Sequence, residues 1–532
     1  MVFDTEGDAV VRIRREVHAL GPGWPDTLVW YAKAVRALRA RPMSDPTSWL
    51  FLAAMHGIDP QLWADADYID GSTAPPTQAV QRTYWWQCQH QSWYFLPWHR
   101  GYLSAFEQIV KDAVVDLGGP ADWALPYWNY SAPAAGARVL PSAFSDDEMP
   151  DGSDNPLKVE RRFGDGTVPI TIPRRLVALG ALDEDDYTAG RQGIPPGFGG
   201  PQTLFNHSGG TSGAVESLPH NQVHGAIGGA GGLMSNPNTA GLDPIFWLHH
   251  ANIDRLWSVW RREGADPQDD TWLKGPVARA FVAPKVDGTE WRFAARDVLD
   301  TRAAPLDYVY DDEVAPAPPA APAPRRRTRR IGVFAAAGGQ VRAEGAAPDE
   351  GADMGQDRTP ELIGASDRDV PVQGATDVPV RLDESGVRNL RRGLRRREGF
   401  GLDEASEPPR VFLKLEGIQG TDDAANYDVY VGRPGGLDDV AGGKAFGAVD
   451  DEDDERLAGT VSLFGVTAAT DPDGARAGVG ISQVIEISEI VDALHLSGEE
   501  LAELDVRFVP ANATVAEMNF SIGRVSVYVL PT

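Results

Sequence analysis

Seven of the ten histidines in this 532-residue chain fall into two groups set among aromatic residues. The first is His56, His90 and His99, the last two within CQHQSWYFLPWHRGYLSAFE. The second is His220 and His224 in VESLPHNQVHG, with His249 and His250 in GLDPIFWLHHANIDRLW. Neutral imidazole suits copper, zinc, iron and nickel. Three imidazoles per ion without a carboxylate argue against a non-haem iron facial triad, and against Mg, Ca or Mn, which prefer oxygen. A lone histidine is more often a core or surface residue, and that reading stands for His18, His207 and His495. It fails for the two groups, because Phe95, Trp98, Phe246 and Trp247 would enclose several unpaired polar rings at real cost.

Helices must bring these rings together. His220 and His224 stand four residues apart, so on a helix both project from one face. His99 opens a helical stretch that includes Glu107, and His250 lies on one with Asp254. Four helices thereby converge their imidazoles on one buried point. Elsewhere VRIRREVHAL, TLVWYAKAVRALRA and SWLFLAAMHGI have helical periodicity, ALPYWNY reads as a buried connection, and NIDRLWSVWRREG stops at Gly264. All 15 tryptophans lie between Trp24 and Trp291, which locates an aromatic core in the first three hundred residues. EVAPAPPAAPAPRRRTRR, from Glu313 to Arg330, then favours extended polyproline conformations. From Arg410, the segments RVFLKLEGI, NYDVYVG, GTVSLFGV, QVIEISEIV, ELDVRFVPA and MNFSIGRVSVYVL alternate as half-buried strands do. The expected architecture is a mainly α domain over 1–312 with a four-helix-bundle core, a linker over 313–409, and an all-β sandwich or barrel over 410–532.

Composition excludes several functions. With 77 acidic against 49 basic residues the net charge is -28, so nucleic acid is not an expected partner. No run of about 18 apolar residues exists, which excludes a helical membrane span. MVFDTEGDAVVRIRREVHAL has no apolar stretch of the kind a Sec signal needs, so the expected location is cytoplasmic or reached by another export route. Cys88 is the only cysteine, and no intrachain disulfide is possible. The acidic run Asp450 to Glu455 reads as a solvated loop, with calcium binding the weaker alternative.

His90 to Glu107, with the pattern H-x4-F-L-P-W-H-R-x2-L-x3-E, resembles the copper A signature of tyrosinases, catechol oxidases and haemocyanins. D-P-I-F-W-L-H-H-A-N-I-D, from Asp243 to Asp254, resembles their copper B signature. The resemblance implies a type-3 site of two copper ions, with His56, His90 and His99 on copper A and His220, His224 and His250 on copper B. His249 falls beside the site without binding metal. GAVESLPHNQVH with Glu216, DDTWLKG, the Tyr308-x-Tyr310 motif and NYDVYVG are similar to segments of plant polyphenol oxidases, although no chloroplast transit peptide is expected and the abundance of Arg over Lys suggests a bacterial source. The implied activity is oxidation of o-diphenols to o-quinones by dioxygen, with ortho-hydroxylation of monophenols. For that step the resemblance makes Glu216 and Asn221 the holders of a water that acts as base. It also implies a thioether between Cys88 and His90. Gly225 and Pro237 are expected at the substrate pocket, both small enough to admit bulky phenols. The C-terminal domain is expected to act as an intramolecular lid, removed by a protease in the linker at the clusters Arg325 to Arg330 and Arg391 to Arg397. An o-aminophenol oxidase on the same site, a haemocyanin-like oxygen carrier and a dizinc hydrolase are the competing readings.

Overall fold

The computed structural model describes residues 11–164, 168–314, 359–367, 369–398, 409–440, 454–473, 478–496, 502–511 and 519–531. Helices Asp26–Arg39, Trp49–His56, Phe95–Asp116, Asn221–Gly228 and Pro244–Trp260 build the α-helical part. Ser48 caps the second by accepting from the Phe51 amide at 3.1 Å. Asp243 caps the last, and Pro244 occupies its first turn, where no amide donor is needed. Phe95–Asp116 is buried over most of its length, as its apolar residues on every side require. Around these helices lies one continuous aromatic-rich core that includes Trp49, Trp98, Trp128, Trp247 and Trp257.

VRIRREVHAL departs from its helical reading. Arg12–Arg14 is a strand and pairs in parallel with Tyr308–Tyr310. The apparent helical spacing misleads because Arg12 and Arg14 are themselves buried. Arg14 forks onto Glu107 at 2.6 and 3.1 Å and reaches Asp254 at 3.2 Å. Tyr308 and Tyr310 each donate to Asp254, at 2.5 and 2.6 Å, and Arg100 meets its other oxygen at 2.5 Å. A two-strand clamp thus ties Phe95–Asp116 to Pro244–Trp260.

Among the described residues, ten strands form the large C-terminal sheet. Its order is Leu457–Ser462, Asn426–Gly432, Glu503–Pro510, Thr376–Leu382, Glu361–Ala365, Asn519–Leu530, Arg410–Gly420, Ile481–Glu486 and Gly210–Thr211, with Val370–Gln373 also on Asn519–Leu530. Three of these strands, between Glu361 and Leu382, fall within the stretch read as linker. In Val370–Gln373 and Thr376–Leu382 buried valines alternate with exposed residues, a pattern masked by the surrounding Gly, Asp and Arg. The Arg391 to Arg397 cluster lies on the helix Glu384–Glu398. The Arg325 to Arg330 cluster and Asp450 to Asp453 lie outside the described residues. At the end of that acidic run, Asp454 pairs with Arg456 at 2.8 Å. The last strand in the order comes from the helical part, where Gly210 and Ser212 donate to the carbonyls of Gly480 and Ser482. No described helix is long and apolar enough to cross a membrane.

Candidate metal centre

Four helices and one loop deliver the histidines. His56 ends Trp49–His56, His99 lies in the first turns of Phe95–Asp116, His220 and His224 stand at and within Asn221–Gly228, and His249 and His250 are central in Pro244–Trp260. His90 comes from the loop before Phe95. That loop is fixed by Asn206, whose carbonyl accepts the His90 amide at 3.2 Å and whose side chain donates to the His90 carbonyl at 2.7 Å. Two compact sets result. His56, Cys88, His90 and His99 form one, and His220, His224, His249 and His250 the other, with the ligand atoms of each set within 4.8 Å of one another.

Most of the rings are held by one nitrogen. Nδ1 meets the carbonyl of Pro237 for His56, of Phe95 for His99 and of Met234 for His224, at 2.7–2.8 Å, and the Asn221 side-chain oxygen for His220 at 2.8 Å. The Nε2 atoms of His56, His220 and His224 are buried with no partner, as are both nitrogens of His250. Anchored Nδ1 with free Nε2 is how metal-binding imidazoles are oriented. His249 has its Nδ1 3.0 Å from the Tyr130 hydroxyl, and its Nε2 is likewise buried without a partner. Burial pushes all these histidines below their ordinary pKa, His56 to about 3, and the neighbouring imidazoles act in the same direction. Rings kept neutral and unprotonated are ready to bind a borderline cation.

Around the rings, the expected residues take these places. Cys88 Sγ stands 3.5 and 3.7 Å from the two nitrogens of His90 and 3.5 Å from His99 Nε2. Glu216 does not sit one regular helical turn before His220, because the chain between them makes a wide turn broken at Leu218 (φ −150°, ψ 119°). Its carboxylate instead crosses to the first set and accepts the Gln91 amide at 2.9 and 3.0 Å. That contact holds Gln91 in a left-handed conformation (φ 48°), unusual for a residue with a β-carbon, directly after His90. Burial raises the Glu216 pKa to about 8. Asn221 is buried, and its side-chain nitrogen has no partner.

The tail closes the site. Phe464 stacks on His224 at 4.1 Å between ring centroids and lies 5.7 Å from His220 and 6.0 Å from His90. Ser462 donates to the Asn221 carbonyl, and Gln222 to that of Thr460. The two expected pocket residues are both covered. A β-carbon on Gly225 would stand 2.7 Å from the Asn426 amide, and Pro237 lies beside Gly465. Phe464 escaped the sequence reading because GTVSLFGV scans as one strand. The strand in fact ends at Ser462, and Gly465, with a left-handed φ of 82°, makes the turn that carries Phe464 into the helix Val466–Thr470.

The family profile for the common central domain of tyrosinase matches residues 46–263, and a profile for a domain of unknown function matches residues 359–529. Tyrosinase HcTyr1 of Hahella sp. (strain CCB-MM4) is 32% identical over 522 residues, 94% of this chain and 97% of that protein. A chloroplastic polyphenol oxidase of Malus domestica is 27% identical, over 83% of this chain and 68% of its own length. The fold is similar to that of latent apple tyrosinase, with a TM-score of 0.58 over 99% of both chains at 21% identity.

Proposed function

This chain belongs to the tyrosinase family and is a type-3 copper oxidase with a dinuclear site, and from that premise we propose that it oxidises o-diphenols to o-quinones, hydroxylates monophenols at the ortho position, and is latent while its tail covers the site. The observation that carries this reading is the pair of compact sets of neutral, buried imidazoles, in which the Nε2 atoms of His56, His220, His224 and His250 have no protein partner. His56, His90 and His99 hold one copper, and His220, His224 and His250 the other. His249, with Nδ1 on Tyr130 and Nε2 without a partner, has the same anchoring as the other rings, so His250 is assigned as the third ligand by its place in the D-P-I-F-W-L-H-H pattern. Bound there, the copper pair supplies the one-electron redox steps by which dioxygen takes up electrons withdrawn from the phenol. Two catechols give four electrons and four protons, enough to reduce one dioxygen to two waters.

The remaining work falls to the chain. Phe95, Trp98 and Phe246 exclude water and keep the imidazoles uncharged. Phenols ionise near pH 10, so a monophenol needs a base at neutral pH. We assign the holding of that water to Glu216 and to the Asn221 side-chain nitrogen, which has no protein partner. Cys88 faces the His90 ring closely enough for a thioether, which replaces its S–H and one ring C–H and passes two electrons and two protons to dioxygen. Phe464 occupies the space a phenol ring needs and so accounts for latency. The test is oxygen consumption with 4-methylcatechol by the copper-loaded full chain. Phe464→Ala is expected to raise the rate at least several-fold. A copper-loaded protein that consumes no oxygen in either form overturns the reading.

A further inference from the structure

The tail brings an aromatic ring and a carboxylate to the same mouth. Phe464 lies on His224, while Asp428 receives a two-point fork from Arg175, Nε to Oδ1 at 3.1 Å and Nη2 to Oδ2 at 3.0 Å. Thr460 also donates to Asp428, at 2.8 Å. Asn426 and Asp428 alternate onto one face of their strand, about 7 Å apart. Asn426 roofs Gly225, the residue after His224, and Asp428 with its Arg175 partner stands one strand repeat along from that roof. Gln222, three residues before Gly225 on the same helix, adds a side-chain oxygen that has no partner. A second ion pair across this interface differs. Arg410 meets Glu184, whose carbonyl accepts from Trp260, away from the histidines, and no aromatic ring accompanies it into the site.

When the tail leaves, Arg175 loses its carboxylate and becomes a cation at the mouth of a chain whose net charge is -28. An overall negative field disfavours acidic substrates unless a local cation receives them. We propose that Arg175 is a substrate-recognition residue: in the open enzyme it binds the carboxylate of a phenol bearing a short acidic side chain, and the tail imitates that substrate with Phe464 as ring and Asp428 as acid. This rests on the phenol-oxidase reading above.

The test uses the copper-loaded full chain and two catechols that differ only in charge, 3-(3,4-dihydroxyphenyl)propionate and its methyl ester. Both react only in the open fraction, so the ratio of their kcat/KM values does not depend on how often the tail opens. Arg175→Gln is expected to lower the acid-to-ester ratio about tenfold, through KM, with partial recovery in Arg175→Lys. Asp428→Asn should raise both rates and keep the ratio. An unchanged ratio in Arg175→Gln would make Arg175–Asp428 a docking pair only and overturn the proposal. A second arm needs no turnover. In copper-free full chain, 3-phenylpropionate should increase hydrogen exchange over residues 457–467, and should do so neither in Arg175→Gln nor when 3-phenylpropanamide replaces it. If no form oxidises either catechol, the phenol-oxidase reading fails and this arm alone decides on Arg175, an increase common to acid and amide counting against it.

Discussion

At the scale of single residues, the site separates holding from binding. A carbonyl or amide oxygen fixes one nitrogen of each anchored ring, and the other is left for a metal. The Asn221 side chain is divided, since its oxygen orients His220 while its nitrogen has no protein partner. Asn221→Gly removes the water-holding group and leaves Glu216 in place. The ratio of monophenol to diphenol turnover is expected to fall about tenfold or more, the lower end of what a positioned base contributes; an unchanged ratio would exclude Asn221 from the base. Cys88 is decided by chemistry alone. Intact mass of the mature copper-loaded protein should fall two hydrogens short of the sequence, and peptide mapping should find Cys88 joined to His90. A Cys88 that alkylates freely after unfolding ends the thioether assignment.

At the scale of elements, two of the histidine-bearing helices, Phe95–Asp116 and Pro244–Trp260, are locked by charge as well as by packing. Glu107 and Asp254, both buried, share Arg14, with Arg100 and two tyrosine hydroxyls completing Asp254. Removing one partner of such a network leaves an uncompensated buried charge, at a cost of about 3–5 kcal/mol. Arg14→Met is therefore expected to lower the urea midpoint markedly, and Arg14→Lys to recover only part, since an ammonium cannot fork onto Glu107. A midpoint within error of wild type would show that packing alone holds the helices. The histidine pattern was legible in sequence because each pair lies within a helical turn or a single motif. The clamp was not, because Arg14 meets its partners 93 and 240 residues away. Arg12 and Arg14 look like helix-surface charges until those carboxylates are known. The strands from Glu361 to Leu382 were hidden for a related reason. Their apolar positions are few, and what identifies them is pairing with Glu503–Pro510 and Asn519–Leu530, far along the chain.

At the scale of the whole molecule, the tail is held by more than its connection to residue 314. Gly210–Thr211 extends its sheet, Arg175 pairs with Asp428 and Arg410 with Glu184, Lys414 donates to the Gln192 carbonyl, and Phe464 is buried among imidazoles. The backbone pairing satisfies an edge of Ile481–Glu486 that would otherwise face water, so the helical part serves as the sheet's last strand. Cutting the chain between residues 315 and 358 removes none of these contacts. The nicked protein is then expected to elute as one species of full-length mass at low salt, with its catechol rate raised only slightly. Separation of two fragments, together with full activity, should require high salt or mild denaturant, which weakens the ion pairs and the burial of Phe464. If the fragments part on cleavage alone, the interface is too weak to enforce latency without the covalent link, and activation reduces to proteolysis. If they stay together, a protease only licenses opening, and the step that admits a phenol is the withdrawal of Phe464 and Asp428 from the mouth.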